Sequence, residues 1–434
     1  MGSSSINFRI IAASLIGSSI EWFDYFLYGT LAALVFGKLF FPDHDPSISL
    51  MLSYLTFSMS FFVRPLGGLL FAHFGDNFGR KKSLVATLTL MGVATAGIGV
   101  LPTYAQAGLA APVLLILLRL IQGIGLGGEW GGAMLLSYEH ALHGSKNLAA
   151  SFPQAGVTIG MLLATLTVGL LSLLPASAFF VWGWRVPFLI SVLLVMFGLW
   201  IRHDVAETPE FEAAQRLPRE PGPPVAKLLR SHWREVLAAI AAKAVETGPF
   251  YIFSVFVLSY ATEHLGYSRI SVLNSITVGA LIATVTIPVY GALADRIGAK
   301  RLFLAGTTLM LLATVPYFLL LQLRHWTAVL AATVLLFGII WPMITCVLGS
   351  ILSGSFKADV RYSGVTLGYQ LGAALIGGTS PLIAEALLAQ SHGQWQPIAA
   401  YMAATALLSL LGVGMGYRPG AGPAAGAATV EARR

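Results

Sequence analysis

Apolar residues in this chain come in continuous runs of about twenty or more, broken by short polar turns, without the two-residue alternation of strands. The first run covers 10–36. It is too long for a signal-peptide core and no small-residue cleavage pattern follows it, so it is expected to be retained. Further runs lie at 49–73, 83–101, 112–138, 148–174, 179–201, 235–262, 270–293, 302–322, 327–352, 362–388 and 395–417. Pro102, Pro112, Pro175 and Gly266 punctuate the turns between them. The expected architecture is all-α, with twelve transmembrane helices. One long polar connection, 202–234, rich in Glu, Arg and Pro, divides them six and six. The chain therefore reads as an N-terminal bundle (1–201), a linker (202–234), a C-terminal bundle (235–417) and a tail (418–434). A β-barrel would instead need segments of about ten residues in strict alternation.

Composition agrees. Hydrophobic residues make up 56% of the chain and charged residues 10%, with a mean hydropathy of +0.77. Soluble domains carry about 25% charged residues, so a water-facing surface cannot be built from this supply. The single cysteine, Cys346, excludes an internal disulfide and argues against a metal cluster. The histidines fall near span ends or in loops without HExxH spacing, and the glycine-rich stretch at 123–132 lacks the strand and GK[ST] ending of a phosphate loop. No enzyme, metal or cofactor is expected.

The net charge of +7 would suit nucleic acid, but its distribution follows membrane topology instead. With the N-terminus inside, nineteen of the 26 Lys and Arg residues fall in inner segments, and only Lys38, Arg185, Arg269 and Arg324 in outer ones. Both termini and the linker are thus expected on the cytoplasmic side. So are two charged turns that repeat each other, FAHFGDNFGRKK at 71–82 and GALADRIGAKR at 291–301. Asp76 corresponds to Asp295 and Gly79 to Gly298, about half the 434-residue chain apart, which suggests a duplicated membrane module. Inside-positive anchoring alone requires neither the Asp nor the Gly. A gate on that face is therefore expected from Asp76, Gly79, Arg80, Asp295 and Arg301, with Glu139 as a partner for Arg80.

Three basic residues remain, Arg64, Arg119 and Lys243, all inside spans together with Glu21, Asp24, Glu129 and Glu246. A charge there costs at least about 2.5–3.5 kcal/mol on insertion scales, so it is paired or lines a polar cavity. At 1.5 Å per residue Arg64 and Glu129 both lie roughly 14 Å from the inner face, which pairs them and leaves Asp24 for Arg119. Two readings stay open: static pairs that fix helix packing, or titratable carboxylates whose occupancy decides whether the pairs form. The fourth span's glycines suit close helix packing.

Several stretches resemble a known family. GDNFGRKK and ADRIGAKR look like the cytoplasmic loop motif of the major facilitator superfamily, and RLIQG at 119–123 like its fourth-helix motif. EWFDYFLYG (21–29), RPLGG (64–68), GLGGEWGGAMLL (125–136), SFPQAG (151–156), WGWRVPF (182–188) and ETPEF (207–211) resemble the metabolite:proton symporter family. RYSGVTLGYQ (361–370) and the Lys243/Glu246 pair bring it nearest the shikimate-like branch. Ala72, Asn77 and Gly354 depart from the usual pattern of the gate. The resemblance implies two six-helix bundles rocking about a central site in the bacterial inner membrane. The implied activity is import of a small organic acid with a proton. The alternatives are a zwitterionic osmolyte such as proline or betaine, a drug-efflux antiporter or a non-transporting sensor.

Proton coupling is then expected of Asp24, Glu21, Arg119, Glu129 and Arg64. Substrate contact is expected of Lys243, Glu246, Tyr251, Gln154, Trp341, Tyr369 and Gln370. The partners implied are a small organic anion or zwitterion and the lipid bilayer, with no nucleic acid, for a molecule working as a monomer.

Overall fold

The computed structural model describes residues 8–78, 80–127, 145–203, 230, 232–356 and 361–416. Eleven of its helices are long and apolar enough to cross a membrane, and a shorter apolar helix takes third place among them. In chain order they are α1 (Leu15–Phe40), α2 (Pro46–Phe71), α3 (Val85–Val100), α4 (Ala110–Gly127), α5 (Lys146–Leu171) and α6 (Gly183–Trp200). The second half supplies α7 (Trp233–His264), α8 (Arg269–Ile297), α9 (Ala299–Gln322), α10 (Trp326–Ser355), α11 (Gly364–Gln390) and α12 (Gln396–Met415). The twelve-helix expectation stands, with no strand among the described residues.

Local chemistry sets the ends. The Asp45 carboxylate accepts from Ser47 N at 2.9 Å just ahead of Pro46, a capped start for α2. α8 stops at Gly298, whose φ of 95° favours glycine. Leu66, Leu70, Leu170 and Leu312 are exposed, an apolar exterior suited to lipid.

Close approach between helices follows the glycines. A Cβ on Gly127 would lie 2.0 Å from Arg64 O, and one on Gly123 2.2 Å from Ser60 O, so α2 and α4 touch backbone to backbone. Gly160 does the same for α5 against α1, where a Cβ would meet Phe23 N at 2.7 Å. Across the middle of the molecule α5 lies along α8 and α10, while α2 meets α11.

The apolar runs gave no sign of the π-helical segments. These sit at Ala32–Phe36 in α1, Ile252–Phe256 and Tyr260–His264 in α7, Val334–Ile340 in α10 and Ala373–Gly377 in α11. Such insertions cluster at functional sites in helical proteins.

Candidate functional site

Three of the π segments border one cavity. Tyr251 precedes the first segment of α7, Trp341 follows that of α10, and Ala373 opens that of α11. All three residues line a central cavity of about 20 Å³ between the two halves. Trp22, Phe61, Arg64 and Val157 come to it from the first half, and Lys243, Glu246, Thr247 and Phe250 from α7. A water needs roughly 10–15 Å³, so the cavity leaves no more than a water-sized space.

The cavity's ion pair is Lys243 with Glu246, one turn apart on α7 and both buried. Lys243 Nζ also stands 3.7 Å above the centre of the Tyr369 ring. Glu246 is held from α10: Thr345 Oγ1 donates to its Oε1 at 3.2 Å, and Trp341 Nε1 donates to its main-chain O at 2.7 Å. Gln154 of α5 donates in turn to Thr345 Oγ1 at 2.7 Å. This polar chain therefore runs from one half of the molecule to the other. α7 is loosened where the pair sits. Ser409 of α12 enters its ladder, donating to Ala241 O at 2.7 Å and accepting from Val245 N at 2.8 Å, and Pro249 lacks an N–H.

Arg64 comes from α2. It is 3% exposed, with its Cζ 4.0 Å from the Phe61 ring centre and 4.5 Å from that of Tyr25. Its Nε and Nη2 have no hydrogen-bond partner among the described residues. Arg119, fully buried in α4, is differently placed. Its Nη1 donates to Gln122 Oε1 at 2.6 Å, its Nη2 to Ser60 Oγ at 2.8 Å and Phe57 O at 3.2 Å, and its Cζ lies 3.7 Å over Tyr28.

The expected pairing of Asp24 with Arg119 does not form. Both Asp24 carboxylate oxygens are buried without a hydrogen-bond partner among the described residues. The physical reason is that neutral groups from α2 and α4 satisfy Arg119's terminal nitrogens. The Thr95 and Ser191 side chains lie close to Asp24. Their hydroxyls donate to their own helices instead, at Met91 O (2.9 Å) and Phe188 O (2.8 Å). Glu21 is buried near Tyr369.

At one end of the bundle Asp295, at the end of α8, reaches across to the start of α5. Its Oδ1 accepts from Asn147 N (3.0 Å) and Asn147 Nδ2 (2.9 Å), and its Oδ2 from Leu148 N (3.0 Å). Ser350 of α10 donates to Asn147 Oδ1 at 2.5 Å. A carboxylate thus caps the positive end of a helix in the other half. Toward the opposite end Tyr54 bonds Ser259 at 2.8 Å, and nearer the middle Ser58 Oγ donates to Gly378 O at 2.5 Å.

The structure brings Lys243, Glu246, Tyr251, Trp341, Tyr369 and Arg64 to one cavity. Gln154 stands behind it on Thr345, and Gln370 donates instead to Gly127 O of α4 at 3.3 Å. Arg301 is exposed. Gly79, Glu129 and Glu139 lie outside the described residues, so the Arg64–Glu129 pair does too; of Asp76 and Arg80 only the backbone is described. Trp22, Phe61, Val157, Phe250 and Ala373 were missed, because apolar side chains in an apolar helix carry no mark of which face they take; Thr247 was missed because a lone hydroxyl in a span can as well bond its own helix.

The sequence profile described as Major Facilitator Superfamily matches residues 14–378. The shikimate transporter of Escherichia coli (strain K12) is 39% identical over 407 residues, covering 93% of each chain. The proline/betaine transporter of the same strain is 33% identical over 416 residues, 93% of this chain and 82% of that one. A crystal structure of a D-xylose-proton symporter shares the fold, with a TM-score of 0.75 over 95% of this chain and 98% of that one at 16% identity. With the profile running from α1 into α11 and twelve helices closing on a cavity between halves, this non-enzymatic, multi-pass transporter of small metabolites belongs to the Major Facilitator Superfamily.

Proposed function

We propose that the chain imports a small organic acid, shikimate-like or another mono- or dicarboxylate, together with protons in the bacterial inner membrane, with both termini cytoplasmic. The observation that carries this reading is the narrow, charged cavity contributed by both halves, with Arg64 on one side and the Lys243–Glu246 pair on the other. A solute bound there touches both bundles, so its binding free energy can bias their relative position, which is the requirement for alternating access.

Asp24 serves as the proton carrier in this scheme. A buried carboxyl with no charged partner among the described residues fits its dry surroundings in the neutral form. Opening to water on either side then decides whether the proton stays. Glu21, Glu129, Arg119 and Arg64 are assigned to the same coupling step, Arg119 fixing α2 to α4. The Asp295 cap on α5 acts as the latch that holds the cytoplasmic side closed, and Asp76, Gly79, Arg80, Glu139 and Arg301 are assigned to that face.

A zwitterionic osmolyte is the second reading. It is favoured by the Lys243–Glu246 pair, which offers both signs, and by the 33% identity to a relative named for proline and betaine.

Uptake into proteoliposomes with an alkaline lumen separates these readings. Labelled shikimate is expected to accumulate, and a protonophore to abolish the accumulation. Accumulation indifferent to the protonophore would remove proton coupling, and accumulation of glycine betaine without shikimate would establish the second reading.

A further inference from the structure

We propose that the edge of the Arg64 guanidinium formed by Nε and Nη2 is the anchor for a single carboxylate in the central cavity, and that the solute is a monocarboxylate carrying no permanent positive charge. This rests on the transport reading above and narrows its substrate class.

Nε–H and the adjacent Nη2–H point the same way from a guanidinium, and together they match the two oxygens of a carboxylate. On Arg64 both are buried and without partner among the described residues, in a side chain 3% exposed that lines the cavity. Leaving charged donors unmade in a dry interior is unfavourable, so an acceptor arriving through the cavity meets a fork already prepared for it. No other lining cation offers this. Lys243 is taken by Glu246 and lies over Tyr369. Arg119 has both terminal nitrogens committed and does not line the cavity.

Charge and shape set the class. The charged residues that line the cavity among those described are Arg64, Lys243 and Glu246; Lys243 and Glu246 answer each other, which leaves the one fork of Arg64 for one carboxylate. A quaternary ammonium needs open aromatic faces. Here the Phe61 and Tyr25 rings already hold the Arg64 guanidinium at 4.0 and 4.5 Å, and Phe250 and Trp341 lie against each other at 4.7 Å. The cation place is filled by the protein itself.

The test is ligand-induced thermal stabilisation of the purified full-length chain by ring and straight-chain monocarboxylates, their methyl esters and trimethylglycine. At least one monocarboxylate should stabilise the wild type, with its ester at least a hundredfold weaker. That comparison needs no variant and so does not depend on a variant folding. Arg64→Lys keeps the charge and loses the fork, and should bind the same acid at least tenfold more weakly. The proposal is overturned if acid and ester bind alike, if trimethylglycine binds tighter than every acid, if Arg64→Lys binds like wild type, or if no monocarboxylate binds. An acid bound through Arg64 but never accumulated under a pH gradient would sink the transport reading and leave the anchor standing. One accumulated normally yet bound equally by Arg64→Lys would do the reverse.

Discussion

Asp24 and Arg119 show how far residue-level reading reaches. Both are ionisable, both lie inside helices, and pairing them follows from depth along the helix axis. The structure separates them because Ser60, Gln122 and the Phe57 carbonyl surround Arg119 with acceptors that a count of charges cannot reveal. Asp24 is left with a specific vulnerability. Replacing it with Asn preserves shape and neutrality while removing the exchangeable proton. Asp24→Asn is expected to fold with a thermal midpoint close to wild type and to lose accumulation driven by a pH gradient in proteoliposomes. Full gradient-driven uptake in that variant would take Asp24 out of the coupling role. Arg64, Lys243 and Glu246, which line one cavity, were legible as candidates because a buried charge in an apolar run is rare and needs a reason. Trp22 and Phe250 were not, since their neighbours along the chain are equally apolar.

At the scale of elements, the apolar runs located all twelve helices, because the length needed to cross a membrane is imposed from outside. The sequence also marked α4 as a packing helix through its glycines. That point is open to measurement. Gly127→Ala would put a Cβ 2.0 Å from the Arg64 carbonyl, backbone against backbone, and force α2 and α4 apart. A loss of more than about 3 kcal/mol, seen as failure to fold or a sharply lowered thermal midpoint in detergent, is expected for overpacking of this severity. Gly169→Ala in α5 meets nothing within 4 Å and should be neutral or stabilising by up to about 1 kcal/mol through helix propensity. Equal effects at the two positions would refute the close-contact account of α4. What stayed hidden was the departure from regular helix. The π segments of α7, α10 and α11 and the Ser409 hydroxyl in the α7 ladder depend on which neighbour faces which turn. A single sequence holds no record of that.

Across the whole molecule the two halves are tied at both ends and in the middle. Asp295 accepts from three N–H groups of Asn147 and Leu148 at one end, Gln154 reaches Thr345 at the centre, and Tyr54 meets Ser259 at the other end. The repeated charged turn pointed to Asp295 as a gate residue. It did not identify the start of α5 as its partner, because that contact joins positions about 150 residues apart and depends on how the halves dock. An alternating-access cycle must break one set of end contacts while keeping the other, so the ends are expected to compete. A charge-assisted hydrogen bond contributes about 1.5–3 kcal/mol, and a change of 1.4 kcal/mol is tenfold in a population. Removing the Asp295 carboxylate should therefore shift the balance at least tenfold toward opening at its end. With Cys346 replaced by Ala, single reporter cysteines can be placed at Ala149, buried near the start of α5, and at Val255, buried where α7 meets Gly29 of α1. Asp295→Ala is expected to speed thiol labelling at position 149 and slow it at 255, whereas a merely destabilised fold would speed both. Unchanged labelling at both positions would mean that the Asp295 contact holds no share of the closed state, and the latch would have to be sought among the other ties between the halves.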